Sequence, residues 1–128
     1  MSKLIILATD ESPQIMFDPS RGILDISGKS LPEDITAFYS PLEQAVIEYV
    51  DEPQPDTIIN FDLVYLNSAS TKRILAIISH FEKLHKEGRK IILNWYFNQY
   101  DEDMREEGEE FARLTDLPVK IIEKSERV

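Results

Sequence analysis

Gln14 to Asp18 and Gly22 to Ser27 read as two short strands. The link between them, Asp18-Pro19-Ser20-Arg21-Gly22, has Pro where a turn wants φ near about −65° and Gly where it wants φ above zero. The pair predicts a β-hairpin. Leu31-Pro32-Glu33-Asp34 then opens a helical region that Pro41 interrupts. The main helix is expected to start at Ser40, with Ser40 as N-cap, Pro41 at the first helical position and Glu43 at N3. Leu42, Ala45, Val46, Tyr49 and Val50 fall on one helical stripe, and Pro53 and Pro55 end it. Asp56 to Leu66 is the strongest strand pattern of the chain. A helix of about five turns follows to Glu87, with the stripe Ile74, Ile77, Ile78, Phe81 and Leu84 and with Gly88 as its C-cap. Strand 89–97, an acidic helix 101–115 touching the core through Met104, Phe111 and Leu114, and strand 119–123 complete the pattern.

The order is β-hairpin, α, β, α, β, α, β, an α/β chain of largely parallel strands joined by right-handed crossovers. Strands covered on both faces read as continuous apolar runs. These do not: Asn60 and Asp62 share a face with Ile58 and Val64, and Trp95 and Phe97 alternate with Asn94 and Tyr96. The expectation is a mixed sheet with its helices mainly on one face and a partly polar second face. Residues 1–128 make one domain, with 1–12 and 124–128 expected to be loosely ordered.

Charge narrows the functions. Fourteen basic against 24 acidic residues give −10 and a pI near 4.6, which disfavours nucleic acid and anionic membrane surfaces as partners. The apolar run Leu4 to Ala8 is too short for a secretory signal, and no stretch reaches the roughly 18 residues of a membrane span. A cytoplasmic protein is expected. With no cysteine, thiol catalysis and thiolate metal sites are out. Four glycines, Gly22, Gly28, Gly88 and Gly108, spell neither a dinucleotide fingerprint nor a phosphate loop. His80 and His85 splay about 140° around one helix and do not share a metal. No metal and no cofactor are expected. The acidic run from Asp101 to Glu110 lacks calcium-loop spacing and reads as a solvated helix face or a docking surface for a basic partner.

Chemistry concentrates at Tyr65-Leu66-Asn67-Ser68-Ala69-Ser70-Thr71-Lys72, where the central strand ends and a helix begins. Open α/β sheets place functional groups there. Ser68 or Ser70 serves as an N-cap, or one of the hydroxyls Ser68, Ser70 and Thr71 accepts a phosphoryl group beside Lys72 and Arg73. Asn94-Trp95-Tyr96-Phe97-Asn98, near the end of the next strand, adds Asn94 and Tyr96 if the two strands are neighbours.

Those residues carry a resemblance. Tyr65-Leu66-Asn67-Ser68-x-Ser70-x-Lys72, a helix, Gly88-Arg89 and then Asn94-Trp95-Tyr96 resemble the SiaC family of bacterial regulatory phosphoproteins, over about Pro13 to Ile122. The resemblance implies a fold like the STAS domains of anti-sigma-factor antagonists, and a non-enzymatic switch in cyclic di-GMP signalling and biofilm regulation. It implies phosphorylation by a partner kinase, dephosphorylation by a PP2C-type phosphatase, and activation of a diguanylate cyclase by the unphosphorylated form. The family's acceptor follows the Asn of the motif, which is Ser68 here, with Ser70 and Thr71 as rivals. Asn67, Lys72, Asn94 and Tyr96 would be its surroundings. Two other readings stand beside it: a constitutive interaction module using helix 101–115 and the open sheet face, or a small enzyme or nucleotide-binding protein using Asp62, Asn94 and Tyr96.

Overall fold

The computed structural model describes residues 2–125. Its elements are β1 (Leu4–Ile6), β2 (Gln14–Asp18), β3 (Ile23–Ser30), α1 (Ile35–Asp51), β4 (Asp56–Leu66), α2 (Ser68–Lys86), β5 (Lys90–Asn98), α3 (Glu102–Leu114) and β6 (Val119–Lys124). One six-stranded sheet holds them in chain order, β1-β2-β3-β4-β5-β6. The first two pairings are antiparallel and the last three parallel. Each parallel step moves to the next strand in the same direction. Three crossovers of one hand therefore lay α1, α2 and α3 on the same face. Alternate strand residues turn to that face and are buried: Ile15, Phe17, Leu24, Ile26, Ile59, Phe61, Leu63, Ile91, Leu93 and Trp95. The opposite face carries the half-buried Asp25, Asn60, Asn94 and Tyr96. The mixed sheet with one-sided helices is as the polarity pattern indicates.

α3 docks on the sheet through an aromatic cluster. Phe61, Trp95 and Phe111 lie with ring centroids 5.0 to 5.7 Å apart. The buried Trp95 indole N–H donates to the Met104 carbonyl at 3.0 Å. A Cβ at Gly108 would sit 2.5 Å from Trp95 Cδ1, so glycine is what lets the helix lie against that ring. The end of α2 is a Schellman motif, with Gly88 at φ +87°, Gly88 N–H bonded to His85 O and Arg89 N–H to Leu84 O.

Four expectations need correction. α1 begins at Ile35, capped by Asp34, whose carboxylate accepts the Ala37 N–H at 3.0 Å. Pro41 therefore sits inside a continuous helix and neither interrupts nor starts it. The carbonyl it leaves without a helix partner, that of Ala37, is on an exposed residue. Ser40 is no cap; its hydroxyl donates back to the Thr36 carbonyl at 2.6 Å. Leu114 is 56% exposed at the last turn of α3, so the core contact of that helix is Met104, Gly108 and Phe111. The N-terminal segment, read as loose, contributes the edge strand β1. Of the tail read as loose, Lys124 ends β6 and 126–128 lie outside the described residues.

Candidate functional site

β4 outruns its neighbour. Its ladder with β5 stops at Phe61↔Trp95, while its ladder with β3 continues to Ser30↔Leu66. The register slips between Gly28↔Leu63 and Lys29↔Tyr65, which leaves Val64 as an extra, bulged residue. Bulges re-aim a strand end and occur near functional sites. Here the bulge leaves Val64 and Tyr65 43% and 51% exposed in a strand otherwise buried at alternate positions. Beyond Phe61 the space beside β4 is taken by the start of α3. The result is a cleft of about 930 Å³ between the β4–α2 turn and α3. Val64 to Ser68, Thr71 and Lys72 line one side; Asp101, Asp103, Met104, Glu106, Glu107, Glu110 and Arg113 line the other.

The turn itself is built by Asn67. Its backbone is extended (φ −90°, ψ 171°), and its side-chain oxygen accepts the Ser70 N–H at 2.8 Å, so Asn67 is the N-cap of α2. Neither serine has that role. Ser68 is the first helical residue, exposed, and among the described residues no group hydrogen-bonds its hydroxyl. Ser70 points inward and is fully buried. Its hydroxyl donates to the Ser30 carbonyl at 2.7 Å and accepts from Ser30 Oγ at 2.8 Å. Ser30 Oγ is also 2.5 Å from the Tyr39 hydroxyl. Each hydroxyl has one proton, so the order is Tyr39 to Ser30 to Ser70 to the Ser30 carbonyl. Burial pushes the Tyr39 phenol up to about 12, against the opposing effect of its hydrogen bond with Ser30. Thr71 is half-buried and its hydroxyl donates to the Asn67 carbonyl at 3.3 Å. Of the three candidate acceptors, Ser68 alone presents a free, solvent-facing oxygen.

Lys72 is exposed and lines the same cleft. Arg73 does not: it reaches α1 and pairs with Glu43 at 2.7 Å, and the same carboxylate takes His80 at 3.1 Å. His80 and then Arg73 hold the Glu43 carboxyl below the usual glutamate range. His80 is thus a partner in a helix–helix link.

Asn94 and Tyr96 are not gathered at Ser68. Asp25, Asn60 and Asn94 stand in one register row across β3, β4 and β5. Asn60 Nδ2 donates to Asp25 at 2.8 Å, and Asn94 Nδ2 to Asn60 at 2.9 Å. Tyr96 lines a shallow pocket of about 360 Å³ on that same open face, with Asp25, Asn60 and Asp62. Strand alternation is the reason. Trp95 and Phe97 face the helices, so their neighbours in sequence face away. Sequence reasoning offered the acidic helix as a docking surface but did not set it opposite Ser68, where it forms the other wall of the cleft. Asp103, Glu106, Glu107 and Glu110 are spaced i, i+3, i+4, i+7, one helical stripe, and that spacing was the available signal.

Among the described residues no helix is long and apolar enough to cross a membrane. Comparison with known proteins agrees with the motif-level resemblance. The model of the SiaC family of regulatory phosphoproteins matches residues 6–124. An uncharacterized protein of Pseudomonas aeruginosa strain UCBPP-PA14 is 30% identical over 121 residues, covering 94% of this chain and 96% of its own. SiaC of Pseudomonas aeruginosa superposes with a TM-score of 0.86 at 27% identity, over 97% of this chain and 100% of that one. A chain in the crystal structure of the diguanylate cyclase SiaD in complex with its activator SiaC, from the same organism, gives 0.88 at 28% identity, over 94% and 99%.

Proposed function

The chain belongs to the SiaC family of regulatory phosphoproteins, and on that premise we propose that it works as a non-enzymatic phospho-switch. A partner kinase phosphorylates Ser68, a PP2C-type phosphatase reverses it, and the unphosphorylated form binds and activates a diguanylate cyclase or another signalling target in the cytoplasm. The observation that carries this reading is the contrast at one turn: the Ser68 hydroxyl is exposed and unengaged, while those of Ser70 and Thr71 are tied to the backbone. The SiaC of Pseudomonas aeruginosa, similar over nearly its whole length, is an activator of a diguanylate cyclase. An acceptor needs no base of its own, because a kinase brings the base and Mg²⁺. No metal or cofactor enters this reading.

A phosphoryl group adds about −1.5 to −2 charges. The first turn of α2 tolerates them, since free N–H groups and the helix dipole favour an anion there and Lys72 stands one turn on. An interface that fits a neutral hydroxyl does not tolerate them. A hundredfold loss of affinity corresponds to about 2.7 kcal/mol, within reach of one misplaced charge. The test is a binding titration against a SiaD-type diguanylate cyclase, with cyclic di-GMP output as second readout. Ser68→Ala should bind and activate like wild type; Ser68→Asp should stay folded and bind about a hundredfold more weakly. Equal binding by the two variants would place the switch elsewhere.

A further inference from the structure

α3 carries two stripes. Met104, Gly108 and Phe111 face the sheet and are buried. Asp103, Glu106, Glu107 and Glu110 line the cleft opposite Ser68. Like charges at i, i+3 and i, i+4 oppose helix formation, and after the first turn the helix dipole no longer offsets them. Outside the stripe Arg105 pairs with Glu102 at 2.5 Å and Glu109 at 3.1 Å, and within it Arg113 pairs with Glu110. Among the described residues no salt bridge engages Asp103, Glu106 or Glu107, although Arg105 lies close enough to feel the charge of Glu106. The far wall is different in kind, with the exposed side chains of Val64 and Tyr65 leading to the Ser68 hydroxyl and a single cation, Lys72, one turn beyond it.

We propose that this cleft takes a cationic amphipathic segment of the protein partner, its Lys or Arg residues on the α3 stripe and its apolar residues on Val64 and Tyr65. The inference rests on the reading of the Ser68 cleft as the partner site and supplies the chemistry of what binds there. It assigns opposite demands to the two walls. Charge belongs on α3, so removing carboxylates there weakens binding. A neutral surface belongs beside Ser68, so adding charge there weakens binding as well. The cost of like-charge repulsion along α3 is then a cost of function, and relieving it leaves the fold at least as stable.

The probes are a short Lys–Leu amphipathic peptide and its Glu–Leu counterpart, titrated into isotope-labelled protein and followed by amide chemical shifts. The Lys–Leu peptide should shift residues 64–68 and 103–110 with an affinity that falls steeply with salt. The Glu–Leu peptide should not. Glu106→Gln with Glu107→Gln should weaken the Lys–Leu peptide about tenfold at low salt. Asp51→Asn with Glu52→Gln, the same change in net charge at the far end of α1, should leave it unchanged. The Glu106/Glu107 variant should melt no lower than wild type. Shifts confined to the open sheet face, equal weakening by both double variants, or no binding would overturn the proposal, as would a lower melting temperature that accompanies the loss. The Ser68→Asp result is separable: if it alone fails, the switch is lost and the cleft's preference stands.

Discussion

Ser68 and Ser70 open the same helix two residues apart, yet they belong to different parts of the molecule. Ser68 faces water across a cleft; Ser70 is fully buried and bonded twice to Ser30, whose hydroxyl also meets Tyr39. Helical geometry accounts for the divergence, because two residues along a helix is about 200° around it. Asn67 makes the divergence exact in space by capping the helix at the Ser70 N–H, which fixes where the first turn starts. The inner serine holds the turn to β3 and α1. The outer one is left with nothing to do inside the fold. A modification chemistry that needs an accessible hydroxyl therefore finds one here without any disturbance of packing.

The sharpest way to break this contrast is to put a charge on each side. Ser70→Asp buries a carboxylate among Ser30 and Tyr39 with no cation to meet it, and should lower stability by about 3–5 kcal/mol in urea unfolding. Ser68→Asp should change it by no more than about 0.5 kcal/mol. The buried side also predicts an alkaline limit. The Tyr39 phenol is raised from 10.0 to about 12 in the fold. A group raised in the folded state stabilises it below its unfolded pKa, and that contribution fades as pH rises from 10.0 through about 12, a loss of about 2–3 kcal/mol. Unfolding free energies measured across that range should show the loss in wild type and not in Tyr39→Phe. On the buried side too, Ser70→Ala should cost about 1–3 kcal/mol by leaving the Ser30 groups short of a partner, and Asn67→Ala about 1 kcal/mol through the lost cap. Neither should remove the acceptor, so kinase labelling at Ser68 should persist in Ser70→Ala.

How much of this was legible in the chain follows the same division between local and non-local causes. The stripe Ile74, Ile77, Ile78, Phe81 and Leu84 and the punctuation at Gly88 are local, and all five side chains are buried as their spacing indicates. The alternation of Asn60, Asp62, Asn94 and Tyr96 with apolar neighbours announced an open sheet face. Pro41 misled because its usual position at a helix start outweighed Asp34, a stronger cap whose helix tolerates an exposed unpaired carbonyl. β1 is three residues at a sheet edge, too short for any period to show. At the candidate site, the motif marks the β4–α2 turn, but which hydroxyl is free depends on Ser30 and Tyr39, 40 and 31 positions upstream of Ser70. Asn94 and Tyr96 lie away from Ser68 because strand alternation turns them to the open face. Whether the two strands are neighbours is left open by their sequences; they are, yet their ladder ends at Phe61↔Trp95, short of the turn.

Phosphosite mapping tests the central claim most directly. Protein isolated from its own cells, and protein labelled by its kinase, should be digested and sequenced by tandem mass spectrometry before and after phosphatase treatment. The structure of the turn predicts a single phosphopeptide with the modification on Ser68, absent from Ser68→Ala and removed by the phosphatase. Phosphate on Ser70 or Thr71, or a Ser68→Ala protein that is still labelled between Tyr65 and Lys72, would contradict it.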